Sequence, residues 1–379
     1  MSCYGISMKS KLEQTHALLR THAIQCWVIL LREGSENTLD LLLDREFVGE
    51  SAFIFTGKRK IAVVASYDAD RVQGMEVHAY TKGIEEVLPS ILEEIAPDVI
   101  YMNFSTHDHT VDSLSHGLFL KFTDILAETS YTGEILSSES FVQELRSVKT
   151  EEELKRIQEA VRITEEIFHT LPDMIHTGIT EQELLEEMKA ATLRAGCTLA
   201  WEDIGITFGL ETPLGHRIAS RRKLKRNESI HIDFGVNYQG YCSDLQRVFY
   251  HGSTPPPAMI TAFETIRKAQ DAAIAAIAPG KKGFEIDAVA RKIITHNGYP
   301  SYNHGLGHQI GRLVHDGGCI LGPLWKRYEK NAKITLRKGN VFTIEPSISG
   351  VVNMGLEDDL VVKEQAELLS HPQKDIIML

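Results

Sequence analysis

The stretch HIDFGVNYQGYCSDLQRVFY, residues 231–250, decides how the chain is read. Ile232, Phe234, Val236 and Tyr238, and then Tyr241, Val248, Phe249 and Tyr250, are β-favouring residues on either side of Gln239-Gly240, a turn signal. The stretch therefore predicts a hairpin. Asp233 sits inside the first strand and Asp244 opens the second, eleven residues on. Aspartate is a poor strand former and costs free energy to bury without a partner. Two of them in one hairpin require a cause outside it.

An internal repeat points to that cause. IHTGITEQELLEEMKAATLRAG (175–196) and IAPGKKGFEIDAVARKIITHNG (277–298) share a pattern: Ile, Gly three residues on, an amphipathic helix, and Gly eighteen residues after the first. Downstream, Leu224, Asn227 and Asp233 are matched in spacing by Leu336, Gly339 and Glu345. Asn replaces Gly readily in a left-handed turn position, so the Asn227/Gly339 pairing is reasonable. Asp233 and Asp244 are eleven apart, and Glu345 and Glu357 twelve. A duplicated α+β half explains the glycines as turns and helix ends, but not the acids. Solvated surface acids are the usual alternative, yet IHIDFG and FTIEPSI embed these in apolar surroundings.

If the two halves pack about a pseudo-twofold axis, the four carboxylates converge. Such a set cannot stay buried as anions without cations, and two divalent metals would supply four positive charges. A further ligand is expected from NHGLGHQIGRLVHDGG (303–318), where His304, His308 and His315 lie among glycines. An isolated His is more often structural, but three within twelve residues, beside four acids, point to chemistry.

These residues resemble the "pita-bread" metallopeptidases: methionine aminopeptidase, aminopeptidase P and prolidase. Asp233, Asp244, His308, Glu345 and Glu357 match that family's five ligands in order and approximate spacing. The whole chain, with its α/β N-terminal part, is most similar to the Xaa-Pro peptidases, and the likeness is most specific from about residue 200 onward. The resemblance implies that Asp233 chelates one metal, that Asp244 and Glu357 bridge both, and that His308 and Glu345 hold the other. It implies a hydroxide nucleophile acidified by two cations, with Glu345 as general base. It makes His216, His304 and His315 the catalytic and substrate-holding histidines. An oxygen-rich set with one imidazole suits manganese, with cobalt or zinc as alternatives. The chain departs from the Xaa-Pro peptidases at Arg217, where Tyr is usual, at Gly355, where Arg is frequent, and at Ser347, where Gly follows Glu-Pro. Arg217 is then a candidate for the substrate carboxylate, together with His216.

Composition agrees with this class. The 379 residues suggest two or three domains. The formal charge of -12 argues against nucleic acid and anionic membranes as partners. The basic run HRIASRRKLKRNE (216–228) reads as a solvated turn, part of which could meet a substrate carboxylate. Five scattered cysteines without a CxxC pair, with no secretory signal visible and no apolar run of membrane length, lead to the expectation of a cytoplasmic protein.

Residues 1–145 alternate β-rich runs (CWVILL, LDLLL, AFIFTG, KIAVVAS, DVIYMNF) with helical patterns (KSKLEQTHALLRTHA, IEEVLPSILEEIA), the signature of an α/β domain. The charged stretch 143–168 reads as one long helix with a Thr150–Glu153 capping box at its start. The catalytic domain is expected over 146–379. The His-rich segment STHDHTVDSLSHG (105–117) reads as a solvated or interface loop rather than a metal site.

The function expected is hydrolysis of the Xaa-Pro bond of small peptides, dipeptides above all, by a homodimer. Cleavage of longer Xaa-Pro peptides is the alternative, followed by another small-amide C–N hydrolysis on the same fold. Creatinase shares the fold but not the full ligand set, and a non-catalytic binding module would have lost it.

Overall fold

A computed structural model of the chain describes residues 10–35, 38–43, 45–215 and 217–379. The chain forms two compact units, Met1–Arg146 and Ser147–Leu379.

The first unit is built on six strands: β1 (Cys26–Leu31), β2 (Ser51–Thr56), β3 (Lys60–Ala65), β4 (Glu76–Tyr80), β5 (Val99–Met102) and β6 (Glu134–Ser137). Their spatial order is β4-β3-β2-β1-β5-β6. β1–β2 and β2–β3 pair antiparallel, the other neighbours parallel. The runs of β1 to β3 are buried on both faces, as their near-continuous apolar sequence requires. The run LDLLL is not a strand: Leu39–Leu41 is a 3-10 turn. A short apolar run satisfies helix and strand patterns equally, and here Leu39, Leu41, Leu42 and Leu43 are all buried in a hydrophobic core. His107, His109 and His116 are exposed. The loop is held instead by buried Asp108, which accepts from the Thr110 N–H and hydroxyl and from Gln143 Nε2.

The charged stretch after residue 143 is two helices, Glu139–Ser147 and Glu151–Met174. The break falls where Thr150 takes an extended backbone and caps the second helix, its side chain accepting from Glu153 N–H while Glu153 accepts from Thr150 N–H. A capping box satisfies donors that a continuous helix would have to bond internally.

In the second unit the repeat is a physical duplication. Helices Glu181–Arg194 and Gly283–His296 are each 14 residues long. The glycines before them (Gly178, φ 94; Gly280, φ 91) and after them (Gly196, φ 73; Gly298, φ 86) are all left-handed. So are Asn227 (φ 60) and Gly339 (φ 86). The hydrogen bonds repeat as well. Gly178 N–H donates to Leu224 O, and Gly280 N–H to Leu336 O. Asn227 N–H donates to His251 O, and Gly339 N–H to Val362 O. Each half contributes a sheet: Gly205–Phe208, Glu228–Phe234, Leu245–His251 and Ile377–Met378 in one, Val341–Ile344, Asp358–Val362 and Ala366–Leu368 in the other. A single antiparallel bridge, Gln246 to Glu357, ties the two together.

The opening hairpin forms with a kink. Glu228–Phe234 continues as Val236–Tyr238, turns at Gln239 (φ 48) and Gly240 (φ 81), and returns through Tyr241–Cys242 into Leu245–His251. Asp244 lies at the break before the last strand. At Gly235 a Cβ would lie 1.8 Å from Ser243 O, so only glycine lets the strands close here. Gly235→Ala should therefore destabilise the unit by about 1–3 kcal/mol, the usual range for overpacking. This would appear as a lower thermal midpoint, and an unchanged midpoint would mean that the hairpin is not closed in this way.

Candidate metal centre

The pleat of Glu228–Phe234 sorts its side chains by alternation. Ile230, Ile232 and Phe234 enter a hydrophobic core. His231 and Asp233 face the other way, into a cavity of about 760 Å³. Gln246, opposite Asp233 in the ladder, faces the same cavity. Asp244, His308, Glu345 and Glu357 also line it. The acids are thus supplied by both halves and converge on one wall.

Ligand atoms of Asp244, His308 and Glu357 all lie within 4.8 Å of one another. His308 Nε2 is 3.6 Å from Asp244 Oδ2 and 3.4 Å from Glu345 Oε1. Asp233 Oδ1, Asp244 Oδ1 and Glu357 Oε1 are buried with no hydrogen-bond partner among the described residues. Burial pushes the Asp233 carboxyl up to about 7. Burial, then the neighbouring Asp233 charge, pushes Glu345 up to about 8. Burial and the surrounding carboxylates raise Asp244 and Glu357 well above the usual range. Crowded carboxylate oxygens around one imidazole are the donor set of a hard divalent cation. The residues fit the group that the sequence called for.

The histidines differ in setting. His308 stands with its ring centroid 4.3 Å from that of His315, and His315 is exposed on the cavity wall. His304 is 3.8 Å from Glu345 through Nδ1. Its Nδ1–H donates to Gly305 O at 2.7 Å, and its Nε2 accepts from the Ser347 hydroxyl at 2.7 Å. Burial lowers its pKa, which keeps the ring neutral. His216 lies outside the described residues. Arg217 has a buried Nη1 with no hydrogen-bond partner among the described residues. Of the basic run, Arg222 is committed to structure: it forms a fork on Glu228 and reaches Glu211.

Two residues in the site carry no role in the sequence reading. His231 is buried, and burial pushes its pKa down to about 4, so it is a neutral imidazole. Gln246 bonds both His231 and Glu357. Period-two alternation was the available signal, since His231 and Gln246 each lie two residues from a candidate ligand. Asp359, two residues beyond Glu357, accepts the Asp244 N–H at 3.0 Å.

The sequence profile of metallopeptidase family M24 matches residues 155–364. A Bacillus subtilis (strain 168) peptidase, YqhT, is 27% identical over 337 residues, covering 86% of this chain and 91% of its own. An Xaa-Pro dipeptidase of Pyrococcus horikoshii is 29% identical over 260 residues, 68% of this chain and 72% of its own. Among solved structures, an Xaa-Pro dipeptidase from Bacillus anthracis superposes with a TM-score of 0.81 at 23% identity, covering 97% of this chain and 99% of the other. The fold is therefore the two-part architecture with a pita-bread second unit that the resemblance implied. No helix among the described residues is long and apolar enough to cross a membrane.

The raised carboxyl values fix the sign of a pH effect on the metal-free protein. A carboxyl that binds its proton more tightly folded than unfolded stabilises the fold fully below its unfolded value, about 4. That contribution is lost as pH rises through the folded values, about 7 for Asp233 and about 8 for Glu345. Chelator-treated protein should show a thermal midpoint that falls between about pH 5 and about pH 8, less steeply in Glu357→Gln. Added Mn²⁺ should restore it at the alkaline end. A midpoint indifferent to Mn²⁺ at that pH contradicts the site.

Proposed function

The chain belongs to metallopeptidase family M24, and from that premise we propose that it hydrolyses the Xaa-Pro bond of dipeptides. The observation that carries the reading is the buried carboxylate cluster with one imidazole, open to a cavity of substrate size. We assign residues 146–379 as the catalytic domain and 1–145 as an accessory α/β domain. Asp233, Asp244, His308, Glu345 and Glu357 would hold two divalent ions, manganese first. When bound, such ions polarise the scissile carbonyl and make water a nucleophile near neutral pH.

The chain's own residues supply the rest. Glu345, 3.4 Å from His308 and 3.8 Å from His304, takes the proton of the attacking water on its carboxylate. His315 faces the cavity and holds the substrate carbonyl. His304 relays the proton held by Glu345 to the leaving nitrogen: Nε2 takes it up as the Ser347 hydroxyl turns from donor to acceptor, and gives it to that nitrogen as the C–N bond breaks. His216 is assigned to the substrate as well. General acid–base help of this kind is worth about 10²–10⁴-fold.

The dipeptide preference rests on charge. Among the described residues, the cavity lining contains no Lys or Arg. Arg217, two residues from the lining Gly215 and with an unengaged Nη1, is the cation for the substrate's terminal carboxylate. The Pyrococcus horikoshii relative's identity as an Xaa-Pro dipeptidase supports this choice. The four described cysteines are free thiols, which supports a cytoplasmic location, and the resemblance supports a homodimer.

The test compares catalytic efficiency on an Xaa-Pro dipeptide, its C-terminal amide and an Xaa-Pro tripeptide. A hydrogen bond to a charged group contributes about 1.5–3 kcal/mol, so the dipeptide should lead by roughly 10-fold or more. Arg217→Tyr should erase that lead, chiefly through KM. Equal cleavage of all three would make the protein an aminopeptidase, and no cleavage of any would overturn the reading.

A further inference from the structure

The cavity wall beside Glu357 is made by three residues that act together. Gln246 Nε2 donates to Glu357 Oε2 at 2.7 Å. A carboxylate only accepts, so the amide nitrogen must face Glu357 and the amide oxygen must face away. That oxygen, Oε1, lies 3.1 Å from His231 Nε2. The neutral imidazole must then carry its proton on Nε2 and donate it. The chain of donation runs one way, from His231 to Gln246 to Glu357. Reversing the amide would set an oxygen against the carboxylate, so the Glu357 end fixes the amide and the imidazole tautomer follows it.

Gly355 makes the room. A Cβ there would lie 2.5 Å from Gln246 Oε1 and 3.4 Å from His231 Nε2. Its backbone φ is not left-handed, so the requirement for glycine at this position is space and not conformation. The atom in the way is the end of a flexible side chain, so any substituent at 355 would displace the Gln246 amide before it disturbed the backbone.

We propose that His231 and Gln246 are positioning residues that orient the Glu357 carboxylate for cation binding, and that Gly355 is required because it leaves the Gln246 amide in place. Glu357 keeps Oε1 buried and, among the described residues, without a donor, available to the cation, while Oε2 is anchored. Without the anchor the carboxylate turns about its last bond. The cation then meets a mobile ligand and pays the entropy of fixing it. The bridge between the backbones of Gln246 and Glu357 holds donor and acceptor strands in register, so the side-chain bond spans the join of the two halves.

The inference rests on the divalent-metal reading, and its test separates the two. Mn²⁺ affinity is measured on the full-length protein by competition with a chromogenic chelator. The set is the wild type, Gln246→Met, His231→Phe, Gly355→Ala and the Gln246→Met/Gly355→Ala double variant, with circular dichroism to verify the fold. Loss of an outer-shell partner typically costs about 10–100-fold in metal affinity. Gln246→Met should weaken Mn²⁺ binding within that range, and His231→Phe and Gly355→Ala in the same direction. The decisive result is non-additivity: once Gln246 is Met, Gly355→Ala should cost nothing further. A misfolding His231→Phe would leave the Gly355/Gln246 pair to decide. If the wild type binds Mn²⁺ and Gln246→Met binds it equally well, or if the two effects simply add, the positioning role is overturned. If the wild type itself binds no Mn²⁺, the metal reading fails first.

Discussion

Mutual repulsion among buried carboxylates is the constraint that this chain must answer. Asp233, Asp244, Glu345 and Glu357 line one cavity, and several of their oxygens have no donor among the described residues. Left as they are, they hold protons well above the usual carboxylate range, because burial disfavours the anion in all four and neighbouring charge adds to it in Asp244, Glu345 and Glu357. Such an arrangement weakens a fold unless cations accompany it. The cluster is sited at the join of the two halves. It occupies the facing strands of two duplicated sheets, bridged between Gln246 and Glu357, with Asp359 fixing the Asp244 backbone from behind.

Duplication is an economical way to build such a site. One α+β half offers an acid on a strand and a second acid after a turn. Its copy offers the same, and the two face each other. The symmetry extends to the left-handed backbone at Gly178/Gly280 and Asn227/Gly339. It stops at the histidines. His304, His308 and His315 belong to the second half alone; His308 sits among the acids, and His304 and His315 line the same cavity.

The acids and the repeat were legible because they leave marks in spacing. A period-two pleat sets Asp233 against an apolar strand, and left-handed turns demand Gly or Asn at fixed offsets. The capping residue Thr150 was visible for the same local reason, although the helix preceding it merged with its successor in the charge pattern. What escaped was non-local. Ser347 meeting His304 and Gln246 meeting Glu357 join residues 43 and 111 apart in sequence, and no periodicity records such pairs. The Leu39–Leu41 turn escaped for the opposite reason, since a short, fully buried apolar run carries no direction at all. The change at Gly355 could be seen in the sequence, but its meaning could not. Only the packing reveals that Gln246 and His231 crowd the position.

The count of divalent ions on the folded chain tests the central claim most directly. Protein saturated with Mn²⁺, freed of excess by gel filtration and analysed for metal and protein together, should carry two ions per chain. One ion or none at saturation would contradict the account, because four buried carboxylates would then face at most two positive charges.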